Sequence, residues 1–280
     1  MQYIYTTNGL KLACRDLGEG PLIVCLHGFP DTFETWQQTQ ECLAANGFRT
    51  IAPALRGYDP SEVPSNRDYS LRSLCDDVVT LLDHLGATQA AIIGHDWGAQ
   101  IGYAFAALHP DRLTSLVTLA NPPLTISPSG FRERWARPHN LYLNRGAISN
   151  WWFRRNNFAE VDRLFDKWSP NWQSNQPTID RVKQAFSDPA YSRAAVDYYA
   201  ERMTKTDAQA ILHPIQTPIM MIYGEDEPLV RQEAYQRAIS VTGPGSEVHC
   251  LNEVGHWPHL EDPQAFQALA TPFLKPHSQE

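Results

Sequence analysis

Residues 90–105, AAIIGHDWGAQIGYAF, run from a continuous apolar stretch into a helix-like pattern through two glycines that bracket one carboxylate, Asp96. A run as apolar as Ala90–Gly94 suits a strand covered on both faces. Glycines at a tight strand-to-helix turn allow the residue between them to stand above the sheet. Gly94-His95-Asp96-Trp97-Gly98 thus has the form of a nucleophile elbow, with Asp where Ser is usual. Asp is also a common helix N-cap that satisfies the first free N–H groups. These five residues alone do not separate the two readings.

Outward from the elbow, LIVCL (Leu22–Leu26) and LTSLVTLA (Leu113–Ala120) read as further buried strands. Helical patterns lie between them, from about Thr32 to Asn46 and from about Ser70 to Leu85. Alternation of this kind predicts an α/β fold with a mostly parallel sheet flanked by helices. GLKLACRDLGEG alternates and ends in glycines, so the first two segments are expected to form an antiparallel edge hairpin. The strand pattern returns at TPIMMIYGEDEPLV (Thr217–Val230), continues in SEVHCLNEVGHWPHLEDP, and gives way to a final helix from about Pro263.

Between these parts, residues 124–206 carry no strand-like run and hold five of the eight tryptophans: Trp135, Trp151, Trp152, Trp168 and Trp172. The pattern predicts a helical cap inserted into one α/β core made of residues 1–123 and 207–280. The insertion has a local charge of +5. Its basic residues are spread at mixed helical spacing, which suits a solvated face better than a nucleic-acid patch. WWFRRNNF could form an exposed binding surface, though aromatics packing a lid onto the core explain it more simply.

A net charge of −8 over 280 residues argues against general polyanion binding, and no apolar run approaches a membrane span. The N-terminus lacks the basic start and long apolar stretch of a secretory signal. Cys14, Cys25, Cys42, Cys75 and Cys250 are scattered without CxxC spacing, which suits reduced thiols in a cytoplasmic protein and indicates no metal site or disulfide framework.

The remaining chain favours chemistry at Asp96 over a mere cap. His256, in EVGHWPHLEDP, follows the last strand in the place of a returning base; a nucleophile, acid, histidine order results. His259 in the same loop reads as a supporting residue. An acid should follow a strand end, and MMIYGEDEP offers both Asp226 and Glu227 to orient the imidazole. Asn121, after the strand ending at Ala120, has no carboxylate beside it, which leaves the acid to the later loop. LHGFPDT supplies a loop after a strand, in which the Phe29 N–H, together with that of Trp97, would form an oxyanion hole.

With these pieces in order, the chain resembles the α/β-hydrolase superfamily over essentially its whole length. GHDWG, HGFPDT and GHWPHLEDP are similar to the epoxide hydrolase branch, to which haloalkane and haloacetate dehalogenases are related. His27-Gly28-Phe29-Pro30 matches the HG-any-Pro motif of epoxide hydrolases, with Pro30 beside the substrate. Haloalkane dehalogenases usually carry Asn after HG, and fluoroacetate dehalogenases Arg after the nucleophile and nearby. This chain has Phe29, Trp97 and Gln100 instead.

The resemblance implies an eight-stranded sheet and an acid three residues past the strand-end glycine, which falls on Glu227. It also implies two lid donors. AAVDYYAERM, aligned by Met203, points to Tyr199 rather than Tyr198. In ARPHNLYLNRG the other donor position holds His139, as in a minority His/Tyr subgroup, with Tyr142 as its alternative or as a substrate contact. Members of that subgroup usually place the acid after an earlier strand. The implied activity is epoxide hydrolysis through an aspartyl ester, on a mostly apolar small molecule and water. No metal or organic cofactor is implied. A dehalogenase using the same Asp96 and a non-catalytic binder on this scaffold are the alternatives, and assembly as a homodimer stays open.

Overall fold

The computed structural model describes residues 2–5, 9–123, 131–173, 175–200 and 215–275. Eight strands form one sheet in the order β1-β2-β4-β3-β5-β6-β7-β8. They are β1 Gln2–Tyr5, β2 Lys11–Leu17, β3 Leu22–Leu26, β4 Arg49–Pro53, β5 Ala90–His95, β6 Leu113–Leu119, β7 Ile219–Gly224 and β8 Glu247–Leu251. β1 and β2 form the expected antiparallel hairpin, β2 joins β4 antiparallel, and every pairing from β4 to β8 is parallel. β4 (RTIAP) has no counterpart among the runs picked out from the sequence. It opens on Arg-Thr and closes on Pro, so it lacks a continuous apolar signature, yet Ile51 and Ala52 are fully buried.

Both faces of the sheet are covered, which explains why its strands are apolar throughout. In β3, Val24 and Leu26 join one core, while Ile23 and Cys25 join the other. This is the two-residue period of a strand with no solvent face. Helices α2 (Leu71–His84) and α3 (Trp97–Leu108) pack together on one side. On the opposite side α1 (Gln37–Ala45) packs on the helix Pro263–Leu274. The Ser70 hydroxyl accepts from the Ser73 N–H at 3.3 Å and caps α2, near the start that the sequence predicts.

The described residues between β6 and β7 form α4 (Phe131–Ala136), α5 (His139–Tyr142), α6 (Ala147–Phe153), α7 (Arg155–Trp168), α8 (Gln176–Ala185) and α9 (Pro189–Asp197). The expected limits of the cap at residues 124 and 206, and Met203, lie outside the described residues. α7 turns left-handed at Asn156–Phe158 before running on. Among the described residues no helix is long and apolar enough to cross a membrane, and all five cysteines are free.

Candidate active site

Parallel strands deliver their C-terminal ends to one edge, where crevices for ligands form. Phe29 follows β3, Asp96 follows β5, Asn121 follows β6, Glu227 follows β7 and His256 follows β8. Asp96 stands at φ 52° and ψ −106°, a left-handed conformation costly for a residue with a side chain. The turn is tight enough that a Cβ on Gly98 would lie 2.0 Å from the Leu26 carbonyl oxygen. Asp96 makes no cap bond to α3, so the N-cap explanation for this carboxylate does not hold.

Its oxygens are held by other elements. The Phe29 N–H donates to Asp96 Oδ1 at 3.1 Å, and the Asn121 side-chain amide donates to Oδ2 at 3.0 Å. Gly28 makes the first bond possible, because a Cβ there would lie 2.4 Å from Asp96 Cβ. Trp97 opens α3, so its N–H is among the helix groups left without an intrahelical partner. Pro30 is buried beside Phe29, and the bond joining them is cis.

His256 Nε2 lies 3.7 Å from Asp96 Oδ2, and its Nδ1 lies 3.6 Å from Glu227 Oε1. Of the two candidate acids, Glu227 is 7% exposed and faces the imidazole, whereas Asp226 points outward and accepts from the Asn171 amide at 3.0 Å. A turn explains the difference: the Glu227 N–H donates to the Gly224 carbonyl at 3.0 Å, which brings Glu227 back over the sheet.

The helical segment also holds His256. The His256 N–H donates to the Trp168 carbonyl at 3.0 Å and to Ser169 Oγ at 2.9 Å, and the Trp168 ring lies 4.6 Å from the imidazole. Behind His256, His95 Nε2 meets the His256 carbonyl at 2.8 Å, and His259 Nε2 meets Thr35 Oγ1 at 2.7 Å.

Opposite the elbow, the Tyr199 ring packs on Phe29 at 5.2 Å, on Trp97 at 5.5 Å and on His139 at 5.8 Å. Tyr198 points elsewhere: fully buried, it donates to the Arg56 carbonyl at 2.8 Å and stacks on Tyr69. Tyr142 is likewise committed away from Asp96, with its hydroxyl held by Glu160 and Arg163. His139 is buried, and its Nδ1 has no protein partner among the described residues.

The charges follow from these surroundings. Burial would raise the Asp96 pKa, but His256, Arg137, His95 and the Phe29 N–H outweigh it and hold Asp96 below the usual carboxylate range. Burial, then Arg137 and Arg231, pushes His139 well below the ordinary histidine value, so it is neutral near pH 7. Burial and the nearby Asp96 charge push Tyr199 well above the usual phenol value, so it keeps its proton.

Two residues escaped the sequence motifs. Asn121 drew notice only for lacking a neighbouring carboxylate, yet it binds Asp96 directly. Arg137 brings a guanidinium nitrogen 3.7 Å from Asp96 Oδ2 and donates to Asn121 Oδ1 at 2.9 Å. Its one sequence signal is a place two residues before His139.

A family model described as alpha/beta hydrolase fold matches residues 21–263. The chain is 37% identical to epoxide hydrolase B of Mycobacterium tuberculosis (strain ATCC 25618 / H37Rv), over 91% of this chain and 92% of that protein. It is 29% identical to the AB hydrolase superfamily protein YfhM of Bacillus subtilis (strain 168), over 96% of each. The structure of epoxide hydrolase A from Mycobacterium thermoresistibile is similar at a TM-score of 0.83, with 24% identity and 98% of each chain covered. That last likeness shows the fold.

Proposed function

Since the chain belongs to the α/β-hydrolase family, in its epoxide hydrolase branch, we propose that it adds water to an epoxide to give a vicinal diol. The observation that carries this reading is a buried carboxylate, Asp96, at the elbow, with each oxygen held by a donor and a histidine 3.7 Å away. A carboxylate kept ionised by its surroundings attacks carbon without a base to deprotonate it. The histidine is then free for the second step.

Asp96 Oδ2 forms a bond to an epoxide carbon as the ring C–O bond breaks. The released oxygen accepts a proton or hydrogen bonds from Tyr199 and His139. Oδ1, held by Phe29, becomes the carbonyl oxygen of the ester. His256, oriented by Glu227, takes a proton from water, and the hydroxide adds to Asp96 Cγ. The Phe29 and Trp97 N–H groups stabilise the resulting oxyanion. Collapse breaks the ester C–O bond, and the leaving oxygen takes the proton from His256 to complete the diol. The carboxyl of Asp96 then gives up the remaining water proton, which restores the donor and the carboxylate.

The helices between β6 and β7 act as the cap, with the Trp168 ring on His256 and the Tyr199 ring on Phe29 and Trp97. We place the enzyme in the cytoplasm, with its thiols reduced, acting alone or as a homodimer. A panel of aryl and aliphatic epoxides, with haloalkanes and haloacetate beside them, tests the reaction class. Diol without halide is expected; halide release would indicate a dehalogenase using the same Asp96. In His256→Gln, mass spectrometry should detect a substrate ester accumulating on Asp96, and unimpaired diol turnover would refute the assignment.

A further inference from the structure

Two guanidiniums meet beside Asp96, and neither has a carboxylate to itself. Arg231 is 3% exposed and donates to Asn121 Oδ1 at 2.6 Å and the Ala120 carbonyl at 3.0 Å. Arg137 donates to the same Asn121 oxygen at 2.9 Å. Glu133 Oε1 serves both, 3.2 Å from Arg231 and 3.9 Å from Arg137. The other anion near Arg137 is Asp96, at 3.7 Å. Burial and the facing Arg231 push the Arg137 pKa down, whereas at Arg231 burial is outweighed by the anionic neighbours, Glu227 foremost, which raise it. Arg231 Nε has no protein partner among the described residues.

This pair opens on a cavity that Lys167, Trp168, Glu227 and His256 also line. Asp226 on its rim is engaged by Asn171, and Glu227 faces His256. The cavity thus sets three cationic side chains, Arg137, Lys167 and Arg231, beside His256 and Glu227, and Arg137 links it to Asp96.

We propose that Arg137 and Arg231 form an anion subsite, and that the epoxides this enzyme prefers carry a carboxylate next to the oxirane. This rests on the epoxide reading above and assigns its substrate class. A guanidinium matches the two oxygens of a carboxylate, and the match is stronger where water is excluded. The subsite also fits the charge changes of the reaction. Asp96 loses its negative charge when the ester forms, which leaves Arg137 without that counter-ion. A carboxylate on the bound substrate supplies the missing charge through both steps, and Arg137 screens it from Asp96 during attack.

The test compares 3-phenyloxirane-2-carboxylate with its primary amide, a neutral substrate of nearly equal shape. Wild type should favour the acid in kcat/KM by about tenfold or more, mostly through KM. Arg137→Gln should reduce that ratio at least about tenfold, and Arg137→Lys should restore part of it. Arg231 is buried and Arg231→Gln could misfold, so the partly exposed Arg137 carries the test. Binding of unreactive 3-phenylpropanoate and 3-phenylpropanamide, measured by calorimetry, gives a readout independent of turnover. An amide opened as fast as the acid, with phenylpropanoate binding unchanged in Arg137→Gln, overturns the subsite and leaves the epoxide reading intact. Phenylpropanoate binding that depends on Arg137, in a protein that opens no epoxide, has the opposite meaning: the subsite stands and the reaction class falls.

Discussion

The site has two halves held in different ways. At the strand ends the arrangement rests largely on backbone: the Asp96 elbow, the Phe29 N–H, and the turn that carries Glu227 inward. Across from them the helical segment contributes side chains: Tyr199 and His139, placed by ring packing, and Arg137, placed by its contacts with Asn121 and Asp96. Backbone devices tolerate few residue types, because glycine or a tight turn is demanded by sterics. A side chain set on a packed helix can be exchanged for another of similar volume. The first half should therefore fix what reaction occurs, and the second which molecule undergoes it.

Substitutions can break this division of labour. Asp96→Asn, at the centre of the backbone half, should lower epoxide turnover at least about 10³-fold, since a neutral amide does not attack the ring. Single-turnover assays with mass analysis would check it, and retained alkylation elsewhere on the chain would contradict it. Tyr199→Phe should cost about 10- to 100-fold in kcat, as expected when one of two donors to the leaving oxygen is lost. Tyr198→Phe, one residue away, should leave kcat near wild type and lower stability by about 1 kcal/mol, through the lost bond to Arg56. Equal kinetic effects in the two variants would erase the distinction between packing and chemistry in the helical half.

A smaller effect appears in stability against pH. Burial lowers His27 to about 4 and His95 to about 3, and pushes His139 and His259 well below the ordinary value. The unfolded chain takes up protons at these residues from about pH 6.5 downward, where the folded chain does not. Their contribution is complete above that pH and is lost on acidification toward 4. Asp31, raised to about 6 by burial, acts in the opposite sense between its ordinary value and 6. Asp59, Asp77 and Glu261, also raised by burial, act with Asp31, while His109 and the lowered carboxyls Asp68 and Asp96 act with the four histidines. With seven groups against four, Tm should fall between pH 6.5 and 4. His27→Asn or His95→Gln, in the sheet half, should flatten that slope, and calorimetry would show it.

Legibility from sequence divides along the same line. β3, β5 and α2 lie within a residue of their expected bounds, because buried strands and a Ser-capped helix carry their signals locally. β4 does not, since two polar residues open a strand of only five. Motif order led to Asp96 and His256. Choosing Glu227 over Asp226 needed a family count, because a turn decides which of two adjacent carboxylates faces inward. Asn121 and Arg137 contact Asp96 across 25 and 41 positions of chain. No periodicity or spacing rule announces contacts of that range.

The clasp between Trp168, Ser169 and His256 bears on any attempt to trade one specificity for another. A Cβ on Gly255 would lie 2.3 Å from the Trp168 carbonyl oxygen, so the histidine loop and the end of α7 fit face to face. Grafting the helical segment of a relative onto this sheet would alter more than a lining. It would replace the seat on which His256 rests, and a chimera would need its histidine loop transplanted along with its helices.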